Sequence, residues 1–388
     1  MTDRFTILDA PEEFLSAPLR LTTDLSAIAD NWREMARRSG KARAAAVVKA
    51  DAYGLGIEDV GQTLYRAGAR DFFVAVPAEG ATLRPYAPEA RIFVLSGIWP
   101  GQEEIFFEND LVPVIASEEQ LAFWMAVLTE RGPYPCALHV DTGFNRLGLP
   151  MADAMALVDD VSRPASLDPV LVMSHLACGD DPTSPMNRRQ LEKFQEVSEA
   201  FEGVDSSLSA SAGIFLGSDY HFDLTRPGIA LYGGEAVNGA RNPMQPVVKA
   251  EARILQIRDA KAGESVSYGA THLLSRDSRL AVASVGYADG YLRNLSGSGI
   301  ALRDTGFPGA EGVIGDKRVP VVGRVTMDLT IFDVTDLSEN AVRSGDYIEL
   351  LGPSMPLDDV ARAAGTIGYE MLTGLGLRYE RIYLEGED

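Results

Sequence analysis

The chain has 388 residues, which is too long for one ordinary hydrophobic core, so its globular composition of 46% hydrophobic and 23% charged residues predicts two domains. A formal net charge of −21 argues against nucleic acid or an anionic membrane as a partner, because long-range repulsion would oppose both. Only two cysteines occur, Cys136 and Cys178, so a disulfide scaffold and a cysteine-ligated zinc are not expected. The N-terminus, Met1 to Asp9, has no basic flank followed by an apolar core, and no apolar stretch of about twenty residues follows, which indicates a cytoplasmic protein.

From about residue 44 to residue 232, short apolar runs alternate with amphipathic stretches. Eight strands are predicted, at 44–48, 72–76, 92–95, 112–115, 136–140, 170–174, 206–209 and 229–231. Helices are predicted at 57–67, 118–130, 151–162 and 186–201, with helix starts at Ser117-Glu118-Glu119 and Pro150-Met151-Ala152-Asp153. Eight strand and helix units predict a closed (β/α)8 TIM-like barrel. A doubly wound sheet is the alternative, but no GxGxxG sequence follows the first strand.

Beyond about residue 240 the pattern becomes β-rich, with turns of Gly, Asp and Pro. Strands are predicted at 251–257, 279–285, 318–325, 329–334 and 346–351, with a short helix at 357–364. We therefore expect a barrel domain at 1–240 and a mainly β C-terminal domain at 241–388. Residues before about 20 lie outside the barrel pattern and are candidates to pair with the β domain.

Lys49 ends the apolar run Ala44-Ala45-Ala46-Val47-Val48 and precedes a glycine-rich turn. An amine at this position is a candidate Schiff-base nucleophile, because burial disfavours the ammonium form and lowers the pKa of a lysine. A strand-end lysine that extends to solvent is the ordinary alternative.

Other unusual residues also follow predicted strands, where the reactive groups of a (β/α)8 barrel lie. They are Asp141-Thr142-Gly143-Phe144-Asn145-Arg146, His175, Ser211 and Arg226. Each has an ordinary structural alternative: a core histidine, a helix cap or a surface ion pair. A phosphate-bearing aldehyde would nevertheless suit this layout. Ser211 and the backbone N–H groups of Gly228 and Ile229 can hold a phosphate, and Tyr53 can add a hydroxyl.

Eight segments together resemble the alanine racemase family, in the family's order and over nearly the whole chain. They are 47–56, 141–148, 174–177, 223–233, 267–269, 286–290, 323–328 and 366–370. The resemblance implies a pyridoxal 5'-phosphate enzyme that interconverts L- and D-alanine, built as a homodimer whose partner subunit completes each active site. It implies Lys49 as the cofactor attachment, Arg226 beside the pyridine nitrogen, and Tyr287 as the second base. His175 and Tyr369 join the cofactor-binding residues, and Arg146 and Met327 contact the amino-acid substrate.

The chemistry fits these residue types. Racemisation removes a Cα proton from one face and returns one to the other, so two flanking bases suffice. The pKa of Tyr287, ordinarily near 10, must fall for this role, and Arg226, His175 and the cofactor are candidate cations. A guanidinium does not give its proton to a pyridine, so Arg226 disfavours decarboxylation and transamination.

Three positions depart from the family pattern. His139 stands where many members carry a carbamylated lysine that orients the counterpart of Arg146, and we expect another carboxylate, a bound anion or His139 itself to steer Arg146. Ala210 replaces an asparagine before the phosphate serine. Gly368 replaces a proline before Tyr369, which predicts a looser loop.

The implied D-alanine would serve as a peptidoglycan precursor, or the enzyme would work in the catabolic direction. A broad-specificity or serine racemase is the first alternative, favoured by His139 and Ala210. A decarboxylase of basic amino acids is disfavoured by Arg226 and by the absence of any cysteine after Cys178. A non-catalytic pyridoxal phosphate-binding protein is disfavoured by the β domain with Tyr287 and Met327. No metal site is expected.

Overall fold

A computed structural model describes residue 5, residues 11–159 and residues 167–385. Its contacts divide the chain into two compact units. One is Ile28–Met244, and the other combines Met1–Ala27 with Gln245–Asp388. We call them the barrel unit and the β unit. The segment Met1 to Asp9, in which no targeting sequence is predicted, lies outside the described residues except for Phe5.

The barrel unit contains a ring of parallel strands. Its strands are Arg43–Ala44, Ala46–Val47, Asp71–Val74, Arg91–Val94, Leu111–Ile115, Tyr134–Asp141, Leu167–Met173, Asp205–Ser207 and Leu224–Thr225, and the short strand Leu149–Pro150 pairs with Tyr134–Asp141. Hydrogen-bonded neighbours follow the chain order from Ala46–Val47 to Asp205–Ser207. Leu224–Thr225 closes the ring, since it pairs with Arg43–Ala44 on one side while the Arg226 N–H donates to the Ser209 carbonyl on the other. The predicted (β/α)8 barrel is confirmed.

The eighth strand differs from the prediction. It lies at Leu224–Thr225, whereas the predicted segment 229–231 belongs to a 3-10 helix, Ile229–Tyr232. All four residues of that helix are buried. A short buried apolar run has the same composition in a strand and in a helix, so hydrophobic periodicity could not separate the two.

Helices alternate with the strands as predicted. They are Leu25–Ser39, Lys49–Gly54, Ile57–Ala67, Pro77–Leu83, Glu103–Glu108, Glu118–Arg131, Met151–Asp159, Pro185–Ala200 and Ser211–Ile214, with 3-10 turns at Arg84–Tyr86 and Ser218–Tyr220. The hydroxyl of Ser117 accepts the N–H of Gln120 at 3.2 Å, which caps the helix that was predicted to begin there. The helix predicted at 151–162 is present over Met151–Asp159, and the remainder of that prediction lies outside the described residues.

The β unit is built on an eight-stranded sheet. Its strands are Leu19–Asp24, Val248–Ala260, Ser278–Ala283, Glu311–Ile314, Lys317–Pro320, Thr330–Asp333, Tyr347–Leu351 and Glu380–Leu384, and Ser265–Val266 pairs separately with His272–Leu273. In Val248–Ala260 every second residue from Val248 to Ile254 is buried, the period of a strand with one covered face. Leu19–Asp24 pairs antiparallel with Val248–Ala260 and parallel with Glu380–Leu384.

One strand prediction in the β unit was too long. The segment 318–325 is a strand only as far as Pro320, because Gly323, with φ of +70°, turns the chain beyond it. The predicted helix at 357–364 is confirmed as Leu357–Ala364. The other helices and 3-10 turns are Glu12–Ser16, Tyr268–Ala270, Tyr287–Asp289, Arg293–Leu295, Ala301–Asp304 and Gly368–Thr373. Over the described ranges, each helix is too short or too polar to cross a membrane.

Candidate active site

Lys49 begins a left-handed turn, separated by Val48 alone from the strand Ala46–Val47. The next four residues have positive φ angles: Ala50 56°, Asp51 54°, Ala52 52° and Tyr53 58°. This conformation costs roughly 1–2 kcal/mol for each residue other than glycine. Backbone strain of this kind persists only where the surrounding structure enforces it, and it is concentrated at functional sites. The turn is therefore a structural sign that the position of Lys49 matters.

The carboxylate of Glu79 holds the start of this turn. Its Oε1 accepts the N–H of Ala50 at 2.7 Å, and its Oε2 accepts the N–H of Ala75 at 2.7 Å. Sequence reasoning missed Glu79. The only signal was its place three residues into a helix that begins with Pro77, and this signal predicts a helix cap and nothing more.

The electrostatic surroundings of Lys49 favour a neutral amine. Burial lowers the pKa of Lys49, and the positive charges of Arg146 and, more weakly, Arg226 lower it further, while Glu79 acts in the opposite direction. A larger neutral fraction near pH 7 is what a nucleophile or a proton acceptor requires.

Three of the predicted phosphate ligands, Ser211, Gly228 and Tyr53, lie together. The hydroxyl oxygen of Ser211 accepts the N–H of Gly228 at 2.8 Å and the N–H of Ala230 at 3.3 Å. A Cβ atom at Gly228 would lie 2.3 Å from the hydroxyl oxygen of Tyr53, so only glycine fits there. Ile229, between the two N–H donors, is buried. Donors and hydroxyls that meet in this way form a cradle suited to a phosphate.

Tyr232 supports this cradle and was not predicted. Its ring stacks on that of Tyr53 with 4.4 Å between centroids, and its hydroxyl donates to the Val47 carbonyl at 2.9 Å. The Tyr53 ring is thereby fixed beside the strand that carries Lys49.

Arg226 is buried, with 4% of its surface exposed. Its guanidinium donates to the Ser207 hydroxyl, to the Ser174 carbonyl at 2.6 Å and to the Leu208 carbonyl at 3.4 Å. Within the described part of the chain no carboxylate pairs with it, and burial lowers its pKa to about 9. The group stays charged at neutral pH, and a buried cation that lacks an anionic partner suits an acceptor supplied by a cofactor.

The two histidines near Arg226 are neutral at pH 7. Burial lowers the pKa of His139 to about 4, with Arg226 and Arg146 contributing, and burial and the same arginines lower the pKa of His175 well below its usual value. Nδ1 of His175 lies 3.5 Å from Arg226 Nη2. Of the cations that the sequence offered to Tyr287, His175 is therefore excluded.

Arg146 stacks on an aromatic ring. Its guanidinium carbon lies 4.1 Å from the centroid of Phe144, whose ring in turn contacts His175 at 5.6 Å. The nearby Asp141 carboxylate instead accepts the backbone N–H groups of residues 143, 144 and 145. In residues 11–159 and 167–385 no carboxylate forms an ion pair with Arg146. The Phe144 ring is a contact of Arg146 that was not predicted, and steering of Arg146 by another carboxylate, a bound anion or His139 stays a prediction.

The remaining predicted residues, Tyr287, Met327 and Tyr369, belong to the β unit and are 43%, 54% and 39% exposed. The 3-10 turn Tyr287–Asp289 follows the strand Ser278–Ala283 and lies against the loop of Met327, where the N–H groups of Tyr287 and Ala288 donate to the carbonyls of Thr326 and Met327 at 3.0 and 3.1 Å. A Cβ atom at Gly286 would lie 2.3 Å from the Met327 carbonyl oxygen, so glycine permits this close approach.

Arg378, which was not predicted, joins the same two loops. Its Nε donates to Asp289 at 2.6 Å and its Nη1 donates to Asp328 at 2.7 Å. The second oxygen of the buried Asp289 accepts the N–H of Gly286 at 2.9 Å. Arg378 thus ties the turn of Tyr287 to the loop of Met327.

Gly368 does not loosen a loop, contrary to the prediction. It begins the helix Gly368–Thr373, and a Cβ atom there would lie 2.8 Å from Asp358 Oδ1 and 3.1 Å from a methyl carbon of Leu357. Glycine allows this helix, which carries Tyr369, to pack closely against the helix Leu357–Ala364.

Acidic, histidine and cysteine side chains do not cluster as a metal site would require in the described ranges. The barrel unit thus gathers an amine, a buried guanidinium and a phosphate cradle, while the β unit presents two exposed phenols and a thioether.

Comparison with known proteins gives consistent matches over nearly the whole chain. The family model "Alanine racemase, N-terminal domain" matches residues 23–236, and "Alanine racemase, C-terminal domain" matches residues 247–383. The chain is 75% identical over 377 residues to "Alanine racemase, biosynthetic" of Agrobacterium fabrum, covering 97% of this chain and 96% of that protein. It is 65% identical over 374 residues to the alanine racemase of Rhizobium meliloti, covering 96% and 99%. The crystal structure of alanine racemase from Bartonella henselae with covalently bound pyridoxal phosphate superposes with a TM-score of 0.87 at 37% identity, covering 95% of this chain and all of that chain.

Proposed function

Since the chain belongs to the alanine racemase family and interconverts L- and D-alanine with pyridoxal 5'-phosphate, we propose that Lys49 and Tyr287 are its two bases. The observation that carries the proposal is the setting of Lys49. Lys49 follows the end of a barrel strand. Burial and the positive charges of Arg146 and Arg226 lower the pKa of its amine. No comparable reason for a strained turn exists if Lys49 is an ordinary surface lysine.

The residues of the barrel unit fit the cofactor. Ser211 and the N–H groups of Gly228 and Ile229 would bind its phosphate with the hydroxyl of Tyr53, and the observed N–H of Ala230 is a further donor. Tyr369, which belongs to the β unit, would add a second hydroxyl. Arg226 would donate to the ring nitrogen, and His175 would contact the ring as a neutral group. When bound to Lys49, the cofactor supplies the electron-withdrawing system that makes a Cα proton removable.

Lys49 and Tyr287 would move the proton. Once the substrate amine has replaced it, the Lys49 side chain is free to take a proton from one face of Cα or to return one. Tyr287 would do the same on the opposite face of Cα. Arg226 keeps its own proton, which limits the withdrawal of electrons and favours racemisation over decarboxylation.

Arg146 and Met327 would contact the substrate. The guanidinium of Arg146, stacked on Phe144 and free of an ion pair within the described residues, is available to a carboxylate. Neutral His139 leaves that positive charge uncompensated. Racemisation measured with L-serine beside L-alanine decides whether the pocket also admits serine.

The direct test is incubation of the purified enzyme, with added pyridoxal phosphate, with each of several L-amino acids in deuterated water. We expect D-alanine to form with deuterium at Cα, and no carbon dioxide or pyruvate. Chiral chromatography and mass spectrometry measure both. Comparable rates with serine would show a broad-specificity racemase, and net formation of carbon dioxide would reject racemisation as the main activity.

We also propose a homodimer in which each active site uses Tyr287, Met327 and Tyr369 of the partner subunit. The support is the exposure of these three side chains and of the neighbouring Ile367, all of which are large and mainly apolar. Large apolar side chains that are exposed in this way suit a surface that another chain covers. A cytoplasmic location and a D-alanine-forming role belong to the same proposal, and the Agrobacterium relative is called biosynthetic.

Hybrid dimers test the shared site. If Lys49 and Tyr287 come from different subunits, mixing inactive Lys49→Ala and Tyr287→Phe proteins should restore about a quarter of the wild-type activity, because half of the dimers are hybrids with one intact site. Mass spectrometry of the intact dimers verifies the exchange. No recovery after verified exchange would mean that both bases come from one chain.

A further inference from the structure

We propose that Glu79 is a positioning residue for Lys49, which fixes the backbone that carries the lysine and supplies a negative charge to its surroundings. The inference rests on the proposed role of Lys49 as cofactor attachment and base. Glu79 would touch neither substrate nor cofactor and would act through Lys49 alone.

The geometry of the carboxylate is the main support. Ala46–Val47 and Asp71–Val74 are neighbouring parallel strands, and Glu79 accepts one N–H just beyond the C-terminal end of each. Both distances, to Ala50 and to Ala75, are 2.7 Å, the length of a charge-assisted hydrogen bond. A single side chain thus ties the residue after Lys49 to the adjacent strand.

The bond to Ala50 falls where the chain is most strained. Ala50 follows Lys49 directly and is the first of the four residues with positive φ. Alanine avoids this conformation, so an external partner is needed to keep its N–H, and with it the start of the turn, in place. Loss of this partner should let the turn relax and move the lysine.

Charge supports the same role. The charged groups that act on the Lys49 amine are Arg146 and Arg226, which lower its pKa, and Glu79, which raises it. His175, which also interacts with Lys49, is neutral at pH 7. Glu79 therefore counters two cations and helps Lys49 to hold a proton. Removal of its charge should lower the pKa of Lys49 further.

Glu79 also has a purely structural contact that a test must separate. Its Oε2 accepts the N–H of Val76 at 3.4 Å, at the start of the helix Pro77–Leu83. A substitution could therefore lower stability without affecting Lys49. Glu79→Gln keeps the size of the side chain and loses the charge, whereas Glu79→Ala loses both.

Glu58→Gln is a matched control. Glu58 lies in the helix Ile57–Ala67, which follows the same turn, and accepts a hydrogen bond from the Tyr86 hydroxyl at 2.6 Å. It has no bond to the backbone of residues 49–54. Its substitution removes one carboxylate and one hydrogen bond at a similar position in the chain.

The experiment measures three properties of each full-length protein. The first is the rate at which hydroxylamine removes the cofactor from the holoenzyme, followed by its visible absorption. The second is the pH midpoint for the reaction of Lys49 with fresh pyridoxal phosphate after the original cofactor has been removed. The third is the thermal unfolding midpoint.

For Glu79→Gln and Glu79→Ala we expect the cofactor to be lost about tenfold faster or more, as for one lost charged hydrogen bond, and the pH midpoint to fall. Glu58→Gln should match the wild type in both. If the Glu79 variants lower only the unfolding midpoint, Glu79 is a helix cap and the proposal is wrong. The Glu79→Gln protein decides the matter if Glu79→Ala does not fold. A Lys49→Ala protein that keeps the visible band would instead reject the role of Lys49 itself.

Discussion

The two proposed bases lie in contrasting surroundings. Lys49 is partly buried in a strained turn, and its pKa is set by burial and by charged groups of its own unit. Tyr287 is 43% exposed on a 3-10 turn that is held by backbone hydrogen bonds to the loop of Met327. The chemical character of Lys49 is therefore built into the folded chain. The chemical character of Tyr287 instead depends on the chain that covers its exposed side chain, and for this reason the proposal includes a partner subunit.

The largest effect should come from Lys49→Ala. Loss of both the cofactor attachment and one base should reduce racemisation by roughly a thousandfold or more, because both steps use the same amine. The visible absorption of the lysine-bound cofactor should also disappear after dialysis. Absorption spectra and alanine racemisation check this. An active Lys49→Ala protein would mean that Lys49 is not one of the two bases.

Tyr287→Phe should reduce racemisation by about 10²- to 10⁴-fold, the range for loss of one acid or base. The fixed equilibrium between the enantiomers requires kcat/KM to fall equally in both directions. The primary isotope effect with α-deuterated alanine should nevertheless rise for the enantiomer from which Tyr287 takes the proton. Equal isotope effects for both enantiomers would argue against Tyr287 as the base that takes the proton from one of them.

The same substitution should barely change folding, because Tyr287 is exposed and its hydroxyl is not part of a buried network. A matched unfolding midpoint for Tyr287→Phe and the wild type is the control that separates chemistry from stability. A large loss of stability would mean that the side chain is structural.

A smaller effect concerns the pH dependence of stability, to which the buried His139 of the barrel unit contributes. His139 has a pKa of about 4 in the folded chain against an ordinary value of 6.5. Between these values the unfolded chain binds a proton that the folded chain does not, so the free energy of unfolding falls as the pH falls from 6.5 to 4, by about 3 kcal/mol at most. His139→Gln should reduce the slope of this part of the pH profile, as measured by urea unfolding, and His175, whose pKa burial lowers in the same direction, should retain the remainder. A profile that keeps its slope would place the titrating group elsewhere.

Much of the fold follows from sequence because its signals are periodic. The helices at 57–67, 118–130 and 186–201 and the strand at 346–351 are present to within a residue or two. Periodicity failed at 229–231, where burial on all sides removes the distinction between strand and helix. It failed again beyond Pro320, where Gly323 turns the chain.

The sequence marked candidate site residues where side chains have distinctive chemistry, as with Lys49 and Arg226, and their roles stay proposals. The site was not predictable where a side chain acts on the backbone of a distant segment. Glu79 bonds to Ala50, and Arg378 joins two loops through Asp289 and Asp328, but neither has a sequence pattern that marks its partner. The Phe144 ring beneath Arg146 was missed for a similar reason, because stacking leaves no spacing rule.

The pairing of Leu19–Asp24 has a consequence for how the chain is made. This strand leaves the ribosome early, yet its two neighbours, Val248–Ala260 and Glu380–Leu384, are synthesised only after the whole barrel unit. Its backbone therefore stays without its strand partners during synthesis of the barrel unit. The barrel can already form in that time, because most of its strands pair with the next strand in sequence. Completion of the β unit, and with it the surface that presents Tyr287, is then among the last events of biogenesis.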